Sequence, residues 1–193
     1  RLGDVTIASA NDVTATTLSA TTLTQSAGSG TTALNGAVDT SGAGGVALTT
    51  SAITLNASLT TTGTGPVTFT NAGLLTLNGD ITADGAVTQN GAGAVTVTGT
   101  RSLTTTNDAV DFLRAVTLNG PGGGLSIDTT VGPATGAHIR FQSTLDATTA
   151  GATAEDLTLT AGTTGNVTFG GAAGATRLGD VTIASANDVT ATT

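Results

Sequence analysis

Along this chain, apolar residues and threonine alternate in short bursts. Val5-Thr6-Ile7, Ile53-Thr54-Leu55, Val67-Thr68-Phe69, Leu75-Thr76-Leu77, Val95-Thr96-Val97, Val116-Thr117-Leu118, Leu157-Thr158-Leu159 and Val167-Thr168-Phe169 all read apolar-Thr-apolar. A period of two sends the apolar side chains to one face and Thr to the other, which predicts half-buried strands. Thr suits the outer position, because its β-branched side chain fits an extended backbone and can pack or hydrogen-bond across strands. Between the bursts lie Asn35-Gly36, Asn78-Gly79, Asp84-Gly85, Asn90-Gly91, Asn119-Gly120 and the run from Gly120 to Gly124. These predict corners, with Gly and Asn supplying left-handed backbone. The best helical candidate, Asp108 to Arg114, is too short and β-branched to stand alone.

Short strands with glycine corners fit an antiparallel sandwich of hairpins or a coil whose strands stack in parallel on the preceding turn. Spacing favours the coil. Ile53, Leu75, Val95, Val116, Ile139 and Leu157 follow one another at 22, 20, 21, 23 and 18 residues, the length of a rung with three short faces. Sandwich strands recur every ~8 to 12 residues and rely on large aromatics. The expected fold is therefore all-β, a parallel β-helix (β-solenoid) with about 20 residues per rung and eight or nine rungs. Its expected core includes Val67, Phe69, Leu75, Leu77, Val95, Val97, Val116, Leu118, Leu157, Leu159, Val167 and Phe169.

A longer period overlies the short one. Residues 1–17, RLGDVTIASANDVTATT, recur unchanged as residues 177–193, an offset of 176. The expected organisation is one tandem repeat, 1–176, followed by the start of the next, 177–193. At ~4.8 Å between stacked strands, eight or nine rungs advance ~40 Å along the axis. Each rung buries its apolar surface only against its neighbours, so stability grows with array length.

Composition narrows what such a rod can do. The 193 residues include 46 Thr and 28 Gly, four Phe and one His, and no Cys, Met, Trp, Tyr or Lys. Disulfides, Cys-based zinc sites, thiol chemistry and a P-loop are excluded. With 38% hydrophobic and 9% charged residues the chain is unlike a disordered one. Five Arg against thirteen acids give a net charge of -8, which disfavours nucleic acid and anionic membrane as partners. No apolar stretch approaches the ~18 to 20 residues of a membrane span.

Several phrases resemble a known group of proteins. Thr158-Leu159-Thr160-Ala161-Gly162 leading to Gly165-Asn166-Val167-Thr168-Phe169-Gly170-Gly171, Arg177-Leu178-Gly179-Asp180-Val181-Thr182-Ile183 and Gln89-Asn90-Gly91-Ala92-Gly93-Ala94-Val95 resemble the β-strand-repeat, filamentous-haemagglutinin-like giant surface proteins of bacteria. The resemblance covers essentially the whole chain. It implies export, a right-handed β-helix, an extracellular or cell-surface location, and service as an adhesin stalk, surface fibre or sheath. The expected partners are further copies end to end, with lateral association of rods and a glycan or cell-surface receptor as additional options.

Candidate chemistry is sparse, and no catalytic, cofactor-binding or metal residues are assigned. His138, the only imidazole, lies among so many Ser, Thr and Asp that proximity to a nucleophile carries little information. Asp108 and Asp111 could form a carboxylate pair for polysaccharide cleavage, but Asn107-Asp108 echoes Asn11-Asp12 and Asn187-Asp188, which reads as a recurring corner. Structural calcium at such corners stays an open alternative, although neither calcium-loop motif occurs. Thr22-Leu23-Thr24, Thr68-Phe69-Thr70, Thr96-Val97-Thr98 and Thr158-Leu159-Thr160 suggest ice-binding ranks, yet their irregular spacing favours ordinary Thr ladders. Asn56-Ala57-Ser58 and Asn166-Val167-Thr168 match the N-glycosylation pattern at the frequency a Thr-rich chain produces. The expected work is structural rather than enzymatic. A repeated carbohydrate- or cell-surface-binding face is the alternative, and a polysaccharide-degrading β-helix enzyme the remote one.

Overall fold

The computed structural model describes residues 1–132 and 135–192. Twenty-two strands and no helix occur among them, and the strand ladders run parallel. The chain winds past three faces in a fixed order. Its first coil holds β1 (Asp4–Ile7), β2 (Val13–Ala15) and β3 (Leu18–Ala20). The next holds β4 (Thr22–Gln25), β5 (Thr31–Leu34) and β6 (Val38–Thr40). Coil three contains β7 (Val46–Thr50), β8 (Ala52–Leu55) and β9 (Leu59–Thr61), and coil four β10 (Val67–Asn71), β11 (Leu75–Leu77) and β12 (Ile81–Ala83). In coil five β13 (Val87–Gln89) precedes β14 (Val95–Thr105), and in coil six β15 (Val110–Phe112) precedes β16 (Val116–Asp128). Coil seven has β17 (Ile139–Phe141), β18 (Leu145–Ala147) and β19 (Asp156–Thr160). Coil eight has β20 (Asn166–Phe169) and β21 (Val181–Ser185), and β22 (Asp188–Ala191) opens a ninth.

The nine-stranded sheet β1-β4-β7-β10-β13-β15-β17-β20-β22 is the first face. A second sheet supplies the other two, because β14 and β16 run through the corner between them without a break and shift register between Thr98 and Thr100. Gly99 (φ 71°) and Gly120 (φ 126°) make that bend in backbone that disfavours any side chain. This is the parallel β-solenoid expected from the short strands and their rung-length spacing. All twelve expected core residues are buried, and they join one continuous cluster running the length of the coil.

Two expectations change. Ile53, Leu75, Val95 and Val116 do stack in one column on the second face, but Leu145 comes next, while Ile139 lies on the first face and Leu157 on the third. The cause is an enlarged coil. Stacked residues stand 18 apart from Val5 to Leu23 but 32 apart from Ile127 to Leu159. The buried Thr129 closes the neck of the first enlargement, its hydroxyl donating to Ala137 O and accepting from Ala137 N–H.

Gly120 and Gly122 have the positive φ expected of corner glycines, but other corner glycines have a different reason from the one expected. Gly36 and Gly79 keep ordinary φ, but a Cβ on either would strike the backbone of the coil beneath, at Thr16 O and Ala57 O. Close approach, rather than left-handed backbone, selects glycine there.

Candidate functional site

The least satisfied surfaces are the two ends of the coil. Strands β1, β2 and β3 have neighbours on one side only, and beside them opens an apolar cavity of about 100 Å³, lined by Val5, Ile7, Val13, Ala15, Leu18 and others. At the opposite end β21 and β22 leave Val181 49% and Val189 51% exposed. These are twins of Val5 and Val13 in the repeated seventeen residues. Both ends thus present unpaired parallel strand edges beside uncovered apolar side chains.

The flanks are built from ladders. On the first face Thr6 and Thr24 stack, as do Thr68 and Thr88, and Thr168 with Thr190. Between the last two groups, Asp111 and Arg140 stand in register and form a two-pronged ion pair, with Arg140 Nη2 donating to Asp111 Oδ2 at 2.7 Å. On the second face Thr54, Thr76, Thr96 and Thr117 form an unbroken file. At one corner Asn78 Nδ2 donates to Asn56 Oδ1 at 2.8 Å, and Asn56 Nδ2 to Asn35 Oδ1 at 2.7 Å. Such ladders hold neighbouring coils in register from outside.

The residues singled out for chemistry are not gathered into one site. His138 is exposed, and its Nδ1 accepts the backbone N–H of Asn166 at 3.0 Å, so it fastens a corner. Asp111 is occupied by Arg140, whereas Asp108 faces Asp84; burial, and after it the charge of Asp84, push the Asp108 carboxyl above its usual range. Asn11, Asn107 and Asn187 all lie between strands, and Asn107 has left-handed backbone (φ 63°). The four Thr-x-Thr strings fall on different faces, in β4 and β10, in β14 and in β19, which breaks any single flat lattice. The amides of Asn56 and Asn166 are engaged by Asn78 and Asn187. Among the described residues no group of three or more His, Cys, Asp or Glu could hold a metal ion. Among them, too, no helix is long and apolar enough to cross a membrane.

The structure also assigns roles to residues that the sequence reading passed over. Glu155, the only glutamate in the sequence, is fully buried and, among the described residues, forms no ion pair. Its carboxylate accepts Gly120 N–H at 2.9 Å, Thr148 Oγ1–H at 2.9 Å, Thr149 N–H at 3.1 Å and Thr149 Oγ1–H at 3.0 Å. Burial is the largest single influence and pushes its pKa up, yet the hydrogen bonds from Thr149, Thr148 and its own backbone N–H together outweigh it and hold the carboxyl below its usual value. Glu155 thereby ties the excursion after β18 to the corner of β16.

Inside the first face, Gln25, Thr50, Asn71 and Gln89 are also buried. Gln89 Nε2 donates to Asn71 Oδ1 at 2.8 Å, Gly91 O at 3.2 Å and Gly93 O at 3.1 Å, while its Oε1 accepts Arg114 N–H at 3.2 Å. The signal was present in the alternation: Gln25 in Leu23-Thr24-Gln25 and Gln89 in Val87-Thr88-Gln89 occupy the inward phase.

No family model, curated protein or solved structure matches this chain.

Proposed function

We propose that the chain is a structural unit of a secreted bacterial surface filament, sheath or adhesin stalk, in which copies continue end to end as a long rigid β-solenoid rod. One observation carries the reading: the seventeen residues that open the chain recur at its far end, and both copies are strands at an edge fit to receive another coil. Its work is mechanical rather than catalytic. A core of Val, Leu, Ile and Phe stacks along the axis, and Thr and Asn ladders clothe it. The charge supports an exposed, dispersed rod, since four Arg against ten Asp and one Glu give each 176-residue unit -7.

The alternative of a carbohydrate-binding face has less support, because all four Phe point into the core and leave the outer faces without a stacking platform. Antibody raised against residues 1–176 tests the proposal on the producing cells. Gold-labelled filaments outside the cell and a polypeptide many times 18.4 kDa are expected. Cytoplasmic labelling of a single-copy protein overturns the proposal, and specific capture on a glycan array transfers the function to the binding alternative.

A further inference from the structure

The seventeen repeated residues occur twice in one solenoid and so measure how a copy is laid onto the one before. The two segments are not on the same faces. Val5, in the first segment, lies on the first face beside Leu23; its twin Val181 lies on the third face beside Leu157. Val13 lies on the second face beside Thr32, whereas its twin Val189 lies on the first face beside Val167. Both twins are set back by one face. From Val5 to Val181 the chain makes seven full coils and two of the three faces of the next, so 176 residues do not close a whole number of coils.

Nothing obliges either segment to move when copies are joined. The first segment uses only its later edge, against β4 and β5, and the second only its earlier edge, against β19 and β20. The two sets of hydrogen bonds can therefore coexist in one continuous coil. Junction spacing is ordinary as well: Leu157 to Val181 is 24 residues and Val167 to Val189 is 22, within the 18 to 32 seen elsewhere. The segment tolerates both settings because its Val-Thr alternation presents the same apolar row wherever it lies.

We infer that the partner seated on the β19–β22 end is a second copy of this unit, set back by one face, so that surface features recur on three sides in turn and return to the starting side only after three copies. This rests on the tandem reading above. The Arg140–Asp111 pair and the Glu155 excursion would then appear on three sides of the rod, and every side would offer a neighbouring rod the same sequence of surfaces. Each copy advances ~37 Å and three copies ~110 Å, at ~4.8 Å per coil.

The chain has no cysteine, so spin-label pairs report the register cleanly. In the 193-residue chain, Thr158→Cys with Thr182→Cys places labels on adjacent strands and is expected to give strong dipolar broadening, because Thr158 and Thr182 are in register. Thr168→Cys with Thr182→Cys is expected to give little. The reverse pattern would put Val181 beside Val167, make the unit a whole number of coils and overturn the inference while leaving the tandem reading intact. Matching circular dichroism of both variants and the parent secures the comparison. A polypeptide of three 176-residue copies, imaged by electron cryomicroscopy, should show a third of a turn per copy, apart from the coil's own slow twist, and full recurrence at ~110 Å. Recurrence on the same side after ~38 Å, the rise of eight whole coils, overturns it. A native polypeptide with one copy would instead defeat the tandem reading, whatever the labels report.

Discussion

The early and late coils fill the same interior column by different means. Down the first face the in-register residues are Gln25, Leu48, Phe69, Gln89, Phe112, Phe141 and Phe169. In the late coils the last three rings stack nearly parallel, with centroids 5.6 and 5.8 Å apart. In the early coils Gln25 and Gln89 put amides into this column, and Thr50 and Asn71, in register with each other, put a hydroxyl and an amide two residues further along their strands. Each reaches a carbonyl of a small-residue corner: Gln25 to Ala27 O, Thr50 to Gly30 O, Asn71 to Gly73 O and Gln89 to Gly91 O. Where the early corners pack tightly on the coil below, their carbonyls lose water and take an internal donor. The late strands leave through Leu113-Arg114, Gln142-Ser143 and Gly170-Gly171, and no buried amide follows their rings. A solenoid interior thus accepts a mixed polar and apolar column or an aromatic one, provided every polar group in it is matched.

The sharpest test removes the middle ring. Phe141→Ala should cost about 3–5 kcal/mol in urea unfolding, and exceed Phe69→Ala by about 1 kcal/mol because Phe69 lies between Leu48 and Gln89 and stacks on no ring. Equal losses would mean that the late stack adds nothing beyond burial. Next, Gln89→Leu should destabilise by about 2–3 kcal/mol, since it strands Asn71 Oδ1, two corner carbonyls and Arg114 N–H. An unchanged midpoint would show that early coils accept an apolar column equally well.

Glu155 adds a pH-dependent difference between the regions. Its folded pKa lies below the ordinary value, so its stabilisation is complete above about pH 4.5 and is lost as pH falls through the folded pKa. Hydrogen exchange at the Thr148 to Ala154 amides should therefore accelerate below that pH while coils two to five stay protected. Glu155→Gln, at a cost on the order of 1 kcal/mol, should abolish the pH dependence. The smallest effect belongs to the exposed side of the late coils: Arg140→Gln should cost about 0.5 kcal/mol, a loss that shrinks in high salt.

The alternation made the core legible, because a strand with one dry face places Val, Leu, Ile or Phe at most of its inward positions. It also fixed the stacking of Ile53, Leu75, Val95 and Val116. The column was lost beyond Val116, since the excursion between Asp128 and Ile139 changes coil length without disturbing the alternation on either side. Corners were found at Asn35-Gly36 and Asn78-Gly79, yet their cause, contact with the coil beneath, involves residues about twenty positions away. Glu155 escaped for a related reason. A lone acid beside a Thr-rich loop looks solvated until Gly120, 35 residues earlier, is brought against it. The set-back of the second segment is likewise invisible to any period counted in residues, because coils of unequal length intervene.

Unequal coils have a consequence under tension. The hydrogen bonds between coils lie along the axis, so pulling on the ends loads them one coil after another rather than all at once. Each coil that peels away releases its own contour length: about 60 Å for the 18-residue coil and about 110 Å for the 32-residue one, at ~3.4 Å per residue. A stretched chain would pay out as a train of uneven steps, dissipating sudden pulls while the coils not yet reached keep their shape.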